Sequence, residues 1–196
     1  MSEIEGFILI GGKSSRMGTN KAKLRLGEQS FVQKIAAALA SISVRVRMVG
    51  GETSAEAQEI VPDVYGEWGA LGGLHAALDA CQSPWAAIVA CDLPFVTEQL
   101  FRRLAALREN YEAVVPVQND GRLQPLCALY SVSACLSRTE ELIAAGERRP
   151  RILLERIRAR RVAPSELADL TRADRFFINV NTPEDYRQAK ALLSNE

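Results

Sequence analysis

The chain reads as an α/β protein, a Rossmann-like three-layer α/β/α sandwich around a mostly parallel mixed sheet. Three observations predict it. Apolar runs and amphipathic stretches alternate through residues 1–110, the pattern of strands joined by crossover helices. Trp85 to Cys91 is a run of seven apolar residues, which suits a central parallel strand covered on both faces. The apolar run at 6–10 and the alternating stretch at 44–49 each stop at a glycine pair, Gly11-Gly12 and Gly50-Gly51, as strands do where they leave a sheet.

Gly6-Phe-Ile-Leu-Ile10 is a short buried strand, and a glycine-rich loop runs from it to about Lys21. Ser30 with Gln33 three residues on is a capping-box pattern, and Phe31, Ile35, Leu39 and Ile42 give the following helix its core face. Val44 to Val49 alternates valine and arginine before Met48, the pattern of a half-buried strand. A weak helix is expected over 53–59, then a short strand at Ile60-Val61 and a loop opening at Pro62-Asp63. Leu71, Leu74 and Leu78 put a helix over 71–81. After the central strand, Thr97 to Glu109 is amphipathic. Strands are expected at about 113–117 and 124–130, and a helix at 132–145. The last helix opens at Thr182-Pro183-Glu184-Asp185, a cap, a proline at the first helical position and early acids. The whole is read as one domain over 1–196 in two halves, 1–110 and 111–196.

Composition narrows the function classes. Lys plus Arg is 24 and Asp plus Glu is 24, so the overall positive footprint of a nucleic-acid binder is absent. Seven apolar residues are far short of the roughly 20 that span a bilayer, so no membrane role is expected. The acidic start Met-Ser-Glu-Ile-Glu lacks the basic region of a secretory signal. Four cysteines without Cys-x-x-Cys spacing read as reduced thiols in a cytoplasmic protein. His75 is the single histidine. It excludes a multi-histidine metal site and makes a histidine-based triad a poor reading.

The densest chemistry lies in Leu9-Ile-Gly-Gly-Lys-Ser-Ser-Arg-Met-Gly-Thr-Asn-Lys21. Gly11, Gly12 and Gly18 let the backbone approach a ligand closely. Lys13, Arg16 and Lys21 add cations, and Ser14 and Ser15 add hydroxyls. Successive N–H groups and cations of this kind form an anion cradle. It is neither a Walker A loop nor a Gly-x-Gly-x-x-Gly dinucleotide turn. Asp92, after the central strand, falls where open α/β sheets bind ligands. One carboxylate there suffices for Mg²⁺, which takes its other ligands from phosphates and water; the competing role is to cap the turn before Pro94. Asp63 follows Pro62 at the opening of a loop, where aspartate commonly forms a turn. The arginines at 148, 149, 151, 156, 158, 160 and 161 form either a solvated face with a linker or an electropositive rim.

The glycine loop resembles the signature of the nucleotidyltransferases that modify molybdopterin, and among them the guanylyltransferases. The likeness continues through Pro62-Asp63, Gly69-Ala-Leu-Gly-Gly73, Cys91-Asp92-Leu-Pro94, Gly146-Glu-Arg-Arg149 and Asn179-Val-Asn-Thr-Pro183. It implies GTP as donor and molybdopterin or molybdenum cofactor as acceptor. An acceptor molybdoenzyme or its chaperone is the implied protein partner. Leu9, Ile10, Gly11, Gly12, Ser14, Gly18, Lys21, Asp63, Gly69, Gly73 and Asp92 are implied at the nucleotide. Asp92 is the implied Mg²⁺ ligand, with Lys21 and Arg16 acting beside it in catalysis. Arg149, Asn179 and Asn181 are implied on the pterin side. Two departures stand out. Ile10 replaces the usual alanine, which narrows the base pocket. Val49-Gly50 stands where some members carry an asparagine. The remaining readings are cytidylyl transfer to molybdopterin, guanylyl transfer to a cobalamin precursor, and a non-catalytic nucleotide-binding domain. Gly11-Gly12 favours guanylyl over cytidylyl transfer. A nicotinamide oxidoreductase lacks its fingerprint here, since Glu52 lies about 40 residues after Gly11 rather than near 20.

Overall fold

The computed structural model describes residues 3–10, 24–51, 59–66 and 68–194. The glycine loop at 11–23 and the helix expected over 53–59, apart from Glu59, lie outside them. Nine strands are described: β1 (Ile4–Leu9), β2 (Arg25–Leu26), β3 (Gln29–Ser30), β4 (Val46–Val49), β5 (Ile60–Val61), β6 (Trp85–Ala90), β7 (Ala113–Pro116), β8 (Cys127–Ser131) and β9 (Ala159–Val162). The helices are α1 (Phe31–Ala40), α2 (Gly69–Ala80), α3 (Glu98–Ala106), α4 (Val132–Ala144), α5 (Pro150–Arg156) and α6 (Pro183–Ser194). Seven strands form one sheet in the order β5-β4-β1-β6-β8-β7-β9, and β2-β3 is a separate small hairpin. Within the large sheet β8 alone runs against its neighbours. Six strands therefore end on one edge, which makes the sheet mostly parallel and mixed, as the sequence predicts.

The strands are buried on both faces because their side chains alternate between two apolar layers. Ile8, Val89 and Leu129 pack with α1 and α3 on one side. Phe7, Ile88, Ala128 and Tyr130 pack with α2, α4 and α5 on the other. Helix α6 closes a smaller cluster in which Val180 and Ala189 meet Leu26 and Phe31. No helix among the described residues is long and apolar enough to cross a membrane.

Local signals hold where short-range hydrogen bonds decide them. Ser30 and Gln33 form the expected reciprocal box at α1. At α6, Asp185 accepts from the N–H of Asn181 and of Thr182, both at 2.9 Å, and its own N–H reaches the Thr182 hydroxyl. Helix α3 is shorter than the expected 97–109: Thr97 is its cap, with its hydroxyl accepting from Leu100 N–H, and the helix runs from Glu98 to Ala106. Strand β8 starts at Cys127 rather than 124, because the Gln124 carbonyl accepts the Cys127 N–H in a turn. The arginine-rich stretch, read as a helix face and linker, resolves into α5 and the edge strand β9, which pairs in parallel with β7. All four cysteines are free. Burial pushes the Cys127 and Cys135 thiols up to about 12.

Strand β4 departs from the half-buried pattern. Its arginines are expected toward solvent, yet Arg47 is buried, only 7% exposed, and its Nη2 donates to Glu5 Oε2 at 2.7 Å. The same nitrogen donates to the Ala80 carbonyl at 2.5 Å. Glu5 Oε1 accepts from Gln82 N–H at 3.0 Å and from the Ser83 hydroxyl at 3.3 Å. The guanidinium lies 4.9 Å from the Phe7 ring centroid. Three segments distant in sequence, β1, β4 and the turn between α2 and β6, thus share one charged centre. Arg47→Ala strands a buried carboxylate and is expected to lower unfolding free energy by about 3–5 kcal/mol. The double variant Glu5→Leu/Arg47→Met is expected to lose less than either single change. Urea unfolding midpoints check both, and a single variant as stable as the parent would contradict the burial.

Helix α2 approaches the loop before it closely. A Cβ on Gly72 would sit 2.7 Å from the Tyr65 carbonyl oxygen and 3.3 Å from Asp63 Oδ1. A Cβ on Gly73 would only touch the Leu9 side chain, at 3.4 Å. Alanine favours a helix over glycine by about 1 kcal/mol. Gly73→Ala is therefore expected to hold or raise the melting temperature, whereas Gly72→Ala is expected to lower it. Thermal unfolding of the pair checks this, and equal gains in both would refute the close approach.

Candidate active site at the C-terminal edge of the sheet

The site is set by where β1 and β6 end. They pair in parallel with Leu9 opposite Ala90, and the Cys91 N–H extends the ladder to the Leu9 carbonyl at 3.0 Å. The Ile10 N–H continues it on the other side to Val49 at 2.9 Å. Ile10, from which the glycine loop departs, and Asp92 therefore leave the sheet side by side. Gly11, Gly12, Ser14, Arg16, Gly18 and Lys21 lie outside the described residues.

The turn after β4 flanks the same edge. Gly50 and Gly51 take φ of 72° and 80° in succession, a conformation that side chains resist. A Cβ on Gly51 would lie 3.5 Å from Ile10 Cβ. The isoleucine thus packs against the glycine turn that stands near the missing asparagine.

Asp63 lies just after β5 on this edge. Its Oδ1 accepts the Tyr65 N–H at 3.0 Å, so the turn-forming role is real. Its Oδ2 makes no hydrogen bond among the described residues. Gly69 opens α2 at φ 61°, and Gly73 rests on Leu9 one turn later. Asp92 is half-buried. Its carbonyl accepts the Val180 N–H at 2.9 Å, which brings Asn179 and Asn181 to the same edge. Asn179 Nδ2 donates to the Phe177 carbonyl at 3.3 Å.

Arg149 is on a different layer. It precedes α5, whose Leu153 and Leu154 pack on the α2 side of the sheet, while the segment before Asn179 packs through Phe176 on the α1–α3 side. The three pterin-side candidates thus approach the edge from opposite faces. Arg149 is clamped by Glu147, with Nε to Oε1 at 2.8 Å and Nη2 to Oε2 at 2.7 Å. That fork and the backbone N–H groups of Arg148 and Arg149 hold the Glu147 carboxyl down at about 2. Glycine at 146, φ 80°, makes the turn out of α4 that lets this clamp form. Next to it the Arg148 guanidinium lies 4.8 Å from the Trp68 ring centroid, which ties the α4–α5 turn to the loop before α2.

The remaining arginines do not form one rim. Arg151 pairs with Glu155 and Arg160 with Glu166. His75 is buried, edge-on to Tyr65 at 4.9 Å between centroids, and its Nε2 is 3.6 Å from Glu140 Oε1. It packs within the fold and does not line the edge.

Gln124 has no counterpart among the sequence candidates. It is buried, its N–H donates to the Pro116 carbonyl, and the carbonyl of Leu126, two residues on, accepts the Ala90 N–H. It therefore sits between the ends of β6 and β7. The Gln124-Pro125 pair after the 118–122 turn is the only signal for it, and a strand expected from 124 onward conceals it.

Comparisons with known proteins identify the family. The model of the MobA-like NTP transferase domain matches residues 6–162. A relative in Pelotomaculum thermopropionicum named "probable molybdenum cofactor guanylyltransferase" is 33% identical, covering all of this chain and 96% of that protein. A protein of the same name in Bacillus cereus is 34% identical, with full coverage of both. Among solved structures, molybdopterin-guanine dinucleotide biosynthesis protein A from Archaeoglobus fulgidus superposes with a TM-score of 0.82 at 24% identity, over 98% of this chain and 100% of that one. A 2-C-methyl-D-erythritol 4-phosphate cytidylyltransferase from Thermus thermophilus shares the fold, with a TM-score of 0.70 at 16% identity over 96% and 98%. This chain is a member of the MobA-like NTP transferase family.

Proposed function

We infer that the protein transfers GMP from GTP to the terminal phosphate of molybdopterin or its molybdenum-loaded form. A non-bridging oxygen of the acceptor phosphate bonds to the α-phosphorus. The bond from that phosphorus to the oxygen bridging to the β-phosphate breaks, and pyrophosphate leaves with the electron pair. The observation that carries this reading is the hydrogen bond between Cys91 N–H and the Leu9 carbonyl. It sets the start of a cationic glycine loop beside a carboxylate, on the ligand-binding edge of the sheet. The names of full-length relatives at 33–34% identity support the substrates.

A phosphomonoester has its second pKa near about 6 and is mostly dianionic at neutral pH. It needs no general base, which suits a protein whose single histidine is buried. The difficulty is the approach of two polyanions, so the chain's task is positioning and charge neutralisation. In this reading Arg16 and Lys21 bind the triphosphate and balance the charge gathering on the departing pyrophosphate. Asp63 Oδ2 faces the nucleoside, and Gly69 and Gly73 keep the start of α2 open to it. Asn179 and Asn181 orient the acceptor from one side and Arg149 from the other.

Mg²⁺ belongs to this reading, and the donor set fits it. Asp92 is a hard oxygen donor, and no group of three or more His, Cys, Asp or Glu able to hold a metal occurs among the described residues. Asp92 would hold the ion, with phosphates and water completing its shell as Mg²⁺ prefers. When bound, the ion supplies neutralisation of phosphate-oxygen charge.

Pyrophosphate release with each of the four nucleoside triphosphates, Mg²⁺ and molybdopterin tests the function. Release is expected with GTP alone; release with CTP, or tight GTP binding without release, would overturn it. Asp92→Ala is expected to abolish release at physiological Mg²⁺, and normal activity would remove the metal role. Lys21→Ala is expected to lower kcat roughly 10²- to 10³-fold, the scale of one lost preorganised contact. A rise confined to KM would make Lys21 a binding group only.

A further inference from the structure

We propose that a cleft at the C-terminal ends of β7 and β9 seats the ring system of the acceptor through Asp174, Gln118 and Asn119. The occupant is a flat fused heterocycle whose edge presents adjacent N–H donors, as a 2-amino-4-oxo pyrimidine ring does. The proposal rests on the acceptor inferred above and adds the place and chemistry of its recognition.

The cleft has a volume of about 670 Å³, within the range of small-molecule sites. Residues 117–120, at the turn after β7, form one wall, and residues 164–178 form the other. Leu170 and Phe177 line it and pack behind it onto the hydrophobic core. That gives an apolar wall against which a planar ring can lie. Polar groups stand at its rim. The side-chain carboxamides of Gln118 and Asn119 make no hydrogen bond among the described residues. Asp120 is already engaged, accepting from Arg122 N–H at 3.0 Å and from its Nε at 2.6 Å. Asp174 differs. Its carboxylate is 80% exposed, and the Arg175 Nε stands 3.9 Å away, beyond hydrogen-bond reach. A carboxylate accepts two parallel N–H bonds in a fork, which matches the paired donors of such a heterocycle. The carboxamides add donors and acceptors for the rest of its edge.

The location suits the reaction. Ile178 lines the cleft and lies two residues before Val180, whose N–H holds the Asp92 carbonyl at 2.9 Å. Two residues span at most about 7 Å. An acceptor with its phosphate near Asp92 and Asn179 can therefore extend its ring into this cleft. The nucleotide approaches from the other side of Asp92, where β1, β4 and β5 end. The two substrates then flank one carboxylate without overlapping.

Asp174→Asn keeps size and shape while removing the charge, at an exposed position outside the core. Initial rates of pyrophosphate release are measured with molybdopterin varied at saturating GTP, and with GTP varied at saturating molybdopterin. The KM for molybdopterin is expected to rise roughly 10- to 100-fold, with the KM for GTP and kcat unchanged. Gln118→Ala is expected to act in the same direction and less strongly. An unchanged KM for molybdopterin in Asp174→Asn overturns the proposal, and so does an equal rise in both KM values. Failure of the underlying reading is seen separately, as absent pyrophosphate release in the unsubstituted protein. In that case equilibrium binding of molybdopterin decides: weaker binding to Asp174→Asn supports the seat, and equal binding rejects it.

Discussion

The parallel pairing of β1 with β6 is the constraint on which the rest of the molecule depends. Both strands are buried on both faces, and apart from Glu5 they carry apolar or small side chains, so helices must cover the sheet above and below. Parallel neighbours cannot be joined by a tight turn, so each connection crosses over a face and returns to the same starting edge. The consequence is that strand ends gather. Leu9 and Ala90 stand opposite each other, and the segments after them leave the sheet together. Ile10 and Asp92, about 80 residues apart in sequence, become neighbours through backbone hydrogen bonds alone.

Strand β8 adds to this by running backwards. Its antiparallel pairing with β6 brings the chain entering β8, rather than leaving it, to the ligand edge. That is how Gln124 reaches the ends of β6 and β7. The segment before α6 is tied to that edge by a bond from Val180 N–H to the Asp92 carbonyl. Chain from the second half of the sequence thus furnishes one side of Asp92, while β1, β4 and β5 from the first half end on the other.

Charge is distributed with the same economy. At the edge away from the site, Glu5 and Arg47 neutralise each other in the interior, and the partners of Glu5 come from β4 and the α2–β6 turn. Buried pairs of this kind are poor sources of net stability but strongly penalise wrong pairings, because either charge left alone is costly. They suit a register device between strands that are not adjacent in sequence. At the site edge Glu147 holds Arg149 in a fork and its own carboxyl well below the usual range. The arginine-rich stretch read as one feature in sequence is therefore several local pairs on α5, β9 and their flanks.

Much of this was legible in the residues themselves. The caps of α1 and α6, the burial of β1 and β6 and the glycine turn after β4 depend on contacts within a few positions, so spacing alone determined them. The acid after the central strand was legible for the same reason, since a continuous apolar run marks a strand end wherever the sheet forms. Other features required partners far away in sequence. Arg47 is indistinguishable from solvent-facing Arg45 until Glu5 is brought against it. Strand β9 carries arginines that argue against a strand, and only pairing with β7 makes it one. Gln124 and Asp174 have no local pattern, because their positions are set by an antiparallel strand and by the chain that closes over β7. Period and capping are local physics, whereas the pairing of strands, and with it the company each polar side chain keeps, is decided only when distant segments meet.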